Sequence, residues 1–211
     1  MLRPRATERT FAAMDEEKWI AAARRGDVEA FNHLVLRYQD LAYSVAYRIT
    51  GDASAAADAA QDAFITAFRK LHQFRGDRFK PWLMRIVTNA CYDELRRVKR
   101  RATDSLDDLY ETSDAADALA PAPDTPETLA QQAELSAAIQ DCISALPEDQ
   151  RVIVVLSDIE DYAYGEIAEI VALPLGTVKS RLSRARSRLR DCLRGITELL
   201  PAEFRLVDEE S

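Results

Sequence analysis

Apolar residues recur along this chain at steps of three and four, and no stretch alternates at the step of two. The first repeat is that of a helix, the second that of a strand, so the pattern restricts the chain to helical architectures. Only 6 glycines in 211 residues argue the same way. The clearest case is Leu173–Arg190, LPLGTVKSRLSRARSRLR. Pro174 suits the first turn, where its missing N–H costs nothing. At about 100° per residue, Val178, Leu182, Ala185 and Leu189 form one apolar stripe, and Ser180, Ser183 and Ser187 lie opposite. Lys179, Arg186 and Arg190 line one flank, and Arg181, Arg184 and Arg188 the other. Small hydroxyls let a helix axis approach a surface while cationic rails reach out on both sides. That shape fits the DNA major groove, walled by phosphates. By itself the strip is explained as well by a solvated basic face.

The residues before it decide between these readings. Tyr164–Val171, YGEIAEIV, has the pattern of a short apolar helix, and ALPLG makes a short break. Helix, tight turn and basic helix make a helix-turn-helix, whose second helix reads bases. A hairpin that merely packs has no use for two basic rails.

The formal charge of −8 argues against a general nucleic-acid coat, but charge is segregated along the chain. Leu173–Arg194 holds 7 basic residues and 1 acidic, whereas Thr103–Pro147 holds 10 acidic residues and no Lys or Arg. Such asymmetry says more about partners than the total does. Cys91, Cys142 and Cys192 are far apart, with no C-x-x-C, and each sits in an apolar helical pattern. They are expected to be buried free thiols in a reducing cytoplasm. No apolar run approaches the length of a membrane span, and MLRPRATER lacks a signal peptide's apolar core. A cytoplasmic protein without membrane insertion is therefore expected.

Composition divides the chain. Residues 1–15 are expected to be a disordered lead, with Met14 as an alternative start. Residues 16–101 hold four helical patterns: Glu16–Arg25; a helix capped by Asp27; an alanine-rich helix over Ser54–Phe74; and one starting at Pro81 and running through Arg101. Residues 102–126 are Asp, Ala, Ser, Thr and Pro with one aromatic, Tyr110, which predicts a disordered acidic linker. Residues 127–194 start at Thr125-Pro126-Glu127 and place Leu135, Ile139, Cys142 and Leu146 on one stripe. A helix with core VIVVL and the helix-turn-helix follow, and 195–211 form an acidic tail. The expected fold is all-α: two helical domains joined by a flexible acidic linker.

A second basic site lies on the fourth helix, PWLMRIVTNACYDELRRVKRR. Arg85, Asn89, Tyr92 and Arg96 share a face, and Phe74, Phe79 and Trp82 sit at its start beside Arg75, Arg78 and Lys80. Rings stack on unpaired bases while cations hold the backbone; equally, Phe79 and Trp82 fit as core. A linker of 25 residues reaches about 80 Å when extended, and two turns of duplex span about 70 Å. Both basic sites can then sit on one DNA molecule.

In this order, three segments resemble domain two of an extracytoplasmic-function (ECF) sigma factor: GDVEAFNHLVLRYQDLAYSVAYRITGD, AAQDAFITAFRKLHQFRGD and FKPWLMRIVTNACYDELRR. LPEDQRVIVVLSDIEDYAYGEIAEIVALPLGTVKSRLSRARSRL is similar to its domain four. The resemblance covers most of Gly26–Arg190 apart from the linker. It implies a factor that binds core RNA polymerase, directs it to specific promoters and assists strand opening without ATP. It implies that Lys179, Ser180, Arg181 and Arg184 read the minus-thirty-five element, with Thr177 and Arg188 on phosphate. It places Arg85, Asn89, Arg96 and Arg97 at the minus-ten element and FRGDRFK where a flipped base is captured, with Phe74, Lys80 and Trp82 alongside. Asp58, Gln61, Asp62 and Phe64 match the segment that docks on the polymerase clamp. An anti-sigma partner and a monomeric free state are expected, with no cofactor and no metal. Four positions depart from the family pattern. Ala55 and Ala57 stand where acids are usual, Asp161 where glycine is common, and Ala163 where Ser or Thr often caps the next helix; losing that cap costs about 1 kcal/mol.

No G-x-x-x-x-G-K-[ST] loop is present, so opening must be driven by binding. Each base-pair step lost costs about 1.4 kcal/mol, and a base stacked on an aromatic returns about 1–3 kcal/mol. The acidic linker reads as a soluble spacer, or as a competitor of DNA through Asp104, Asp107, Asp108 and Glu111. The main rival is a dimeric helix-turn-helix regulator acting without polymerase. An enzyme is not expected, because His33 and His72 lie in unrelated helices and no Ser–His–Asp set stands out. A pure interaction protein has no use for base-facing serines and Asn89.

Overall fold

The computed structural model describes residues 6–76, 78–104 and 126–196, with side chains for 15–76, 78–101 and 132–196. Four helices form the first domain: α1 (Ala6–Ala23), α2 (Val28–Thr50), α3 (Ala53–Lys70) and α4 (Phe79–Asp104). Four more follow: α5 (Pro126–Ser144), α6 (Glu148–Val154), α7 (Tyr164–Val171) and α8 (Leu175–Arg194). No strand occurs among the described residues. The expected disordered linker and acidic tail lie outside them, apart from the helix ends at 102–104 and residues 126, 195 and 196. Helix α1 begins at Ala6 and so runs through most of the expected lead; nothing between Ala6 and Ala23 is Gly or Pro, so no residue type there stops a helix.

Local chemistry sets the boundaries. The Asp27 Oδ1 accepts the Ala30 N–H at 3.0 Å and starts α2. Gly51, at φ 77°, ends it in the left-handed region, and Asp52 caps α3 through the Ala55 N–H. Gly51 is also needed for space: a Cβ there would stand 2.7 Å from the Ser144 Oγ on α5. Helix α3 ends at Lys70, earlier than expected, and a 3-10 turn covers Leu71–Gln73. Its buried face is alanine, at 55, 56, 59, 60, 63 and 67. Small side chains shorten the distance between helix axes, which lets α3 lie between α2 and α4. Phe79, Leu83, Met84 and Val87 of α4 are fully buried in the shared core; each large side chain of this kind contributes about 1.5–3 kcal/mol.

The second domain packs α6 and α7 on α8, and a π-helical turn at Val155–Ile159 extends α6. The two domains also pack on each other: α4 lies along α7, and the end of α2 meets α5 and the π turn. The joint is polar. The buried Arg151 guanidinium donates to the carbonyls of Ile49, Ser144 and Leu146. Gln140 Nε2 donates to the Arg48 carbonyl at 3.3 Å.

One expectation about the cysteines is overturned. Cys91 is a buried free thiol, and burial pushes it up to about 12. Cys142 and Cys192 are joined in a disulfide, with their Cα atoms 5.7 Å apart. Fifty residues separate them in sequence, and only the packing of α5 beside the end of α8 brings them within bridging distance.

Candidate nucleic-acid and polymerase interfaces

Helix α7, a tight turn and α8 form the expected helix-turn-helix. The turn runs through Ala172 at φ 53°, a left-handed position held without glycine, and Leu173 N–H closes it onto the Ala168 carbonyl. Asp161, at φ 56°, explains the family's preference for glycine there. Ala163 supplies no cap; instead its own N–H donates to Glu166 Oε2 at 3.1 Å. Val178, Leu182 and Ala185 seat α8 in the core, and Ser180, Ser183 and Ser187 face solvent opposite them.

The cations flanking that serine floor are not equivalent. Arg186 makes a two-pronged pair with Asp158 on the π turn, at 2.9 and 2.6 Å. Burial alone would raise the Asp158 carboxyl; hydrogen bonds from Arg186 and Ser157 outweigh it and hold the group below the ordinary carboxylate range. Arg181 pairs with Asp149 at 3.2 Å, and Arg188 donates to Gln150 Oε1 at 3.2 Å, so both turn towards α6. Lys179, Arg184 and Arg190 are exposed and take part in no ion pair among the described residues. A groove runs between Tyr164, Lys179, Ser183, Ser187 and Arg190. Of the expected reading set, Lys179, Ser180 and Arg184 lie on the open face, with Thr177 half-buried at its start. Ser183, Ser187 and Arg190 belong to that face too. The helical wheel already placed them there, and the expected set left them out.

On α4, Arg85, Asn89 and Arg96 are exposed along one face, with Tyr92 half-buried among them. The rings beside them divide between core and surface. Phe79 is core, packed on Tyr38 and Phe74. Phe74 is also buried, contrary to a solvent-facing stacking role, because its ring is wedged against Phe79 and Trp82. Trp82 is half-buried and, with Phe74, Arg75, Arg78 and Arg85, lines a cleft facing α7. Lys80 places its ammonium 4.8 Å from the centroid of the Tyr162 ring. Arg97 does not join the Arg85 face. It turns to α3, pairing with Glu94 at 3.0 Å and Asp62 at 3.6 Å; its position on the helix, twelve residues after Arg85, rotates it about 120° away.

On α3, Asp58, Gln61 and Asp62 form an exposed polar patch, whereas Phe64 is half-buried against the core. Ile65 and Phe68 are exposed beside that patch and were not expected as site residues. Their signal in the sequence was a pair of apolar residues four and seven places after Gln61, on the charged side.

Residues 34–101 match Sigma-70 region 2, and residues 136–189 match Sigma-70, region 4. The ECF RNA polymerase sigma factor SigW of Bacillus subtilis is 36% identical over 189 residues, covering 85% of this chain and 97% of that one. The chain belongs to the ECF RNA polymerase sigma factor family. The ECF RNA polymerase sigma factor SigE of Mycolicibacterium smegmatis is 35% identical over 173 residues, covering 82% of this chain and 65% of that one. Among solved structures, the sigma factor RpoE of Bartonella quintana, in complex with the anti-sigma factor NepR, is 27% identical with a TM-score of 0.62, covering 77% of this chain and 96% of that one. Membership favours the reading of this sigma factor as a transcription initiation factor over the dimeric regulator. Among the described residues, no helix is long and apolar enough to cross a membrane, and no group of three metal-ligating side chains occurs.

Proposed function

We propose that this sigma factor binds core RNA polymerase, reads promoter DNA with two surfaces and assists strand opening without ATP. The serine floor of α8 enters the major groove at the minus-thirty-five element. Lys179, Ser180, Ser183, Arg184 and Arg190 face the bases and phosphates, while Arg181 and Arg188 grip from the flank. Arg85, Asn89 and Arg96, with the Trp82 cleft, take the minus-ten strand. Asp58, Gln61 and Asp62, with Ile65 and Phe68, form the polymerase-docking face. The domains divide as 16–101 and 127–194, with 102–126 as the connecting spacer. An anti-sigma factor is the expected inhibitor, in line with the NepR complex of the Bartonella relative.

The observation that carries this reading is the set of exposed cations on α8, Lys179, Arg184 and Arg190, with no ion pair to satisfy them among the described residues, beside a surface of small hydroxyls. Phosphate contacts by such side chains supply sequence-independent affinity, and the close approach supplies base readout. Run-off transcription with core polymerase on a genomic promoter library tests it. Specific transcripts are expected only when chain and core are combined; DNA binding that needs no polymerase and yields no transcript overturns it.

A further inference from the structure

The flank of α8 that carries Lys179, Ser183 and Arg190 also carries Arg186, which the DNA-reading set leaves unused. Arg186 is exposed, yet its guanidinium turns back on the protein in the two-pronged pair with Asp158. Asp158 comes from the π turn, where the Glu160 N–H reaches back five residues to the Val155 carbonyl at 3.1 Å. Turns of this kind are rare and gather at functional sites. This one aims Asp158 at α8, and Ser157 hydrogen-bonds the same carboxylate. An ion pair with both partners partly in solvent adds little to stability, so stability alone gives the arrangement little purpose.

Its effect lies one contact further on. Arg186 also meets the Tyr164 hydroxyl at the start of α7: the Asp158 carboxylate first, and this hydroxyl after it, hold the guanidinium above its ordinary pKa. A guanidinium carries donors only. The Tyr164 oxygen therefore accepts from Arg186, and its own O–H is left to donate. The Tyr164 ring is half-buried against the core, which fixes where the hydroxyl stands. It lies on the wall of the groove that Lys179, Ser183, Ser187 and Arg190 also line. A free O–H donor beside two cations, at the edge of a helix seated in a major groove, has the chemistry of a phosphate contact.

We propose that Tyr164 donates to a backbone phosphate of the minus-thirty-five element, and that Asp158 and Arg186 are positioning residues that hold its hydroxyl ready. The inference rests on the assignment of α8 to that element. Arg186 acts as a strut between the π turn and α7, and the phosphate falls to Tyr164, Lys179 and Arg190. Phosphate contacts fix register without reading bases, so these three side chains set where on the duplex Ser183 and Ser187 come down.

The test uses the full chain with core polymerase, in closed complexes at low temperature on a duplex promoter recovered from the library above. Y164F keeps the ring and removes the donor. It is expected to weaken binding by about fivefold or more, by the same factor on promoters substituted within the minus-thirty-five element, and without lowering the midpoint of unfolding. In ethylation interference, one phosphate that matters to the native chain is expected to stop mattering to Y164F. D158N is expected to lose the same phosphate, and Y164F/D158N to bind no more weakly than Y164F. If Y164F binds as tightly as the native chain, or loses all phosphates alike together with stability, the Tyr164 contact is refuted. If D158N keeps that phosphate, or the two losses multiply, the positioning role of Asp158 and Arg186 is refuted. If K179A and R184A also leave binding unchanged, the minus-thirty-five assignment itself is wrong; if they weaken it while Y164F does not, only the present inference falls.

Discussion

The guanidinium of Arg151 donates a 2.6 Å hydrogen bond to the carbonyl of Ile49, 102 residues away, across the joint between the two domains. The same group serves the carbonyls of Ser144 and Leu146 at the end of α5. One side chain thus satisfies helix-end acceptors from both domains. Replacing it leaves buried carbonyls without a donor, each costing about 1–3 kcal/mol. Arg151→Met is expected to lower the unfolding free energy by at least about 2 kcal/mol, measured by urea denaturation.

The Cys142–Cys192 bridge closes a span of 50 residues that holds all of α6, α7 and most of α8. Loop-closure entropy for that length corresponds to about 4 kcal/mol, and bridges commonly deliver about 2–4 kcal/mol. Reductant is expected to lower the denaturation midpoint of the second domain's transition. Cys192→Ser is expected to reproduce that loss and to abolish the response to reductant.

Asp158 holds Arg186 on the flank of α8 and has a lowered pKa in the folded chain. A carboxyl depressed by folding stabilises the native state fully above its unfolded value of about 4, and that contribution is lost as pH falls through the lowered folded value. Glu160 runs the other way, raised first by burial, but it is common to both proteins compared. The stability difference between the native chain and Asp158→Asn is therefore expected to be constant from pH 7 to about 5 and to shrink below about 4. Thermal unfolding at a series of pH values measures it.

Trp82 packs on Phe74 and Phe79 at 5.1 and 5.4 Å but keeps one side towards the cleft. A base stacked there is worth about 1–3 kcal/mol. Trp82→Ala is expected to reduce open-complex formation by about tenfold or more while leaving closed-complex affinity within about twofold. Permanganate reactivity of the opened strand, against binding to duplex promoter at low temperature, separates the two steps. Equal loss of both, together with a lowered midpoint of unfolding, assigns Trp82 to the core alone.

Helix identity and the outer face of α8 were legible in the amino-acid order because both are local properties. Steps of three and four put Val178, Leu182 and Ala185 inside and the serines outside, and Asp27 and Gly51 mark their helix ends by short-range chemistry. The same locality explains the partial success on α4. Arg85, Asn89 and Arg96 share a face by angle alone, whereas the burial of Phe74 depends on a ring cluster drawn from several segments. What the order of residues could not carry is contact between helices distant along the chain. The pairing of Arg78 with Glu166 and Glu169, the turning of Arg181 and Arg188 towards α6, the reach of Arg151 to Ile49 and the Cys142–Cys192 bridge all join partners from different segments of the chain. Each depends on how helices of fixed character are stacked, and stacking is set by the fit of whole surfaces, such as the alanine face of α3 and the bare Gly51 against Ser144, which no window of neighbouring residues contains.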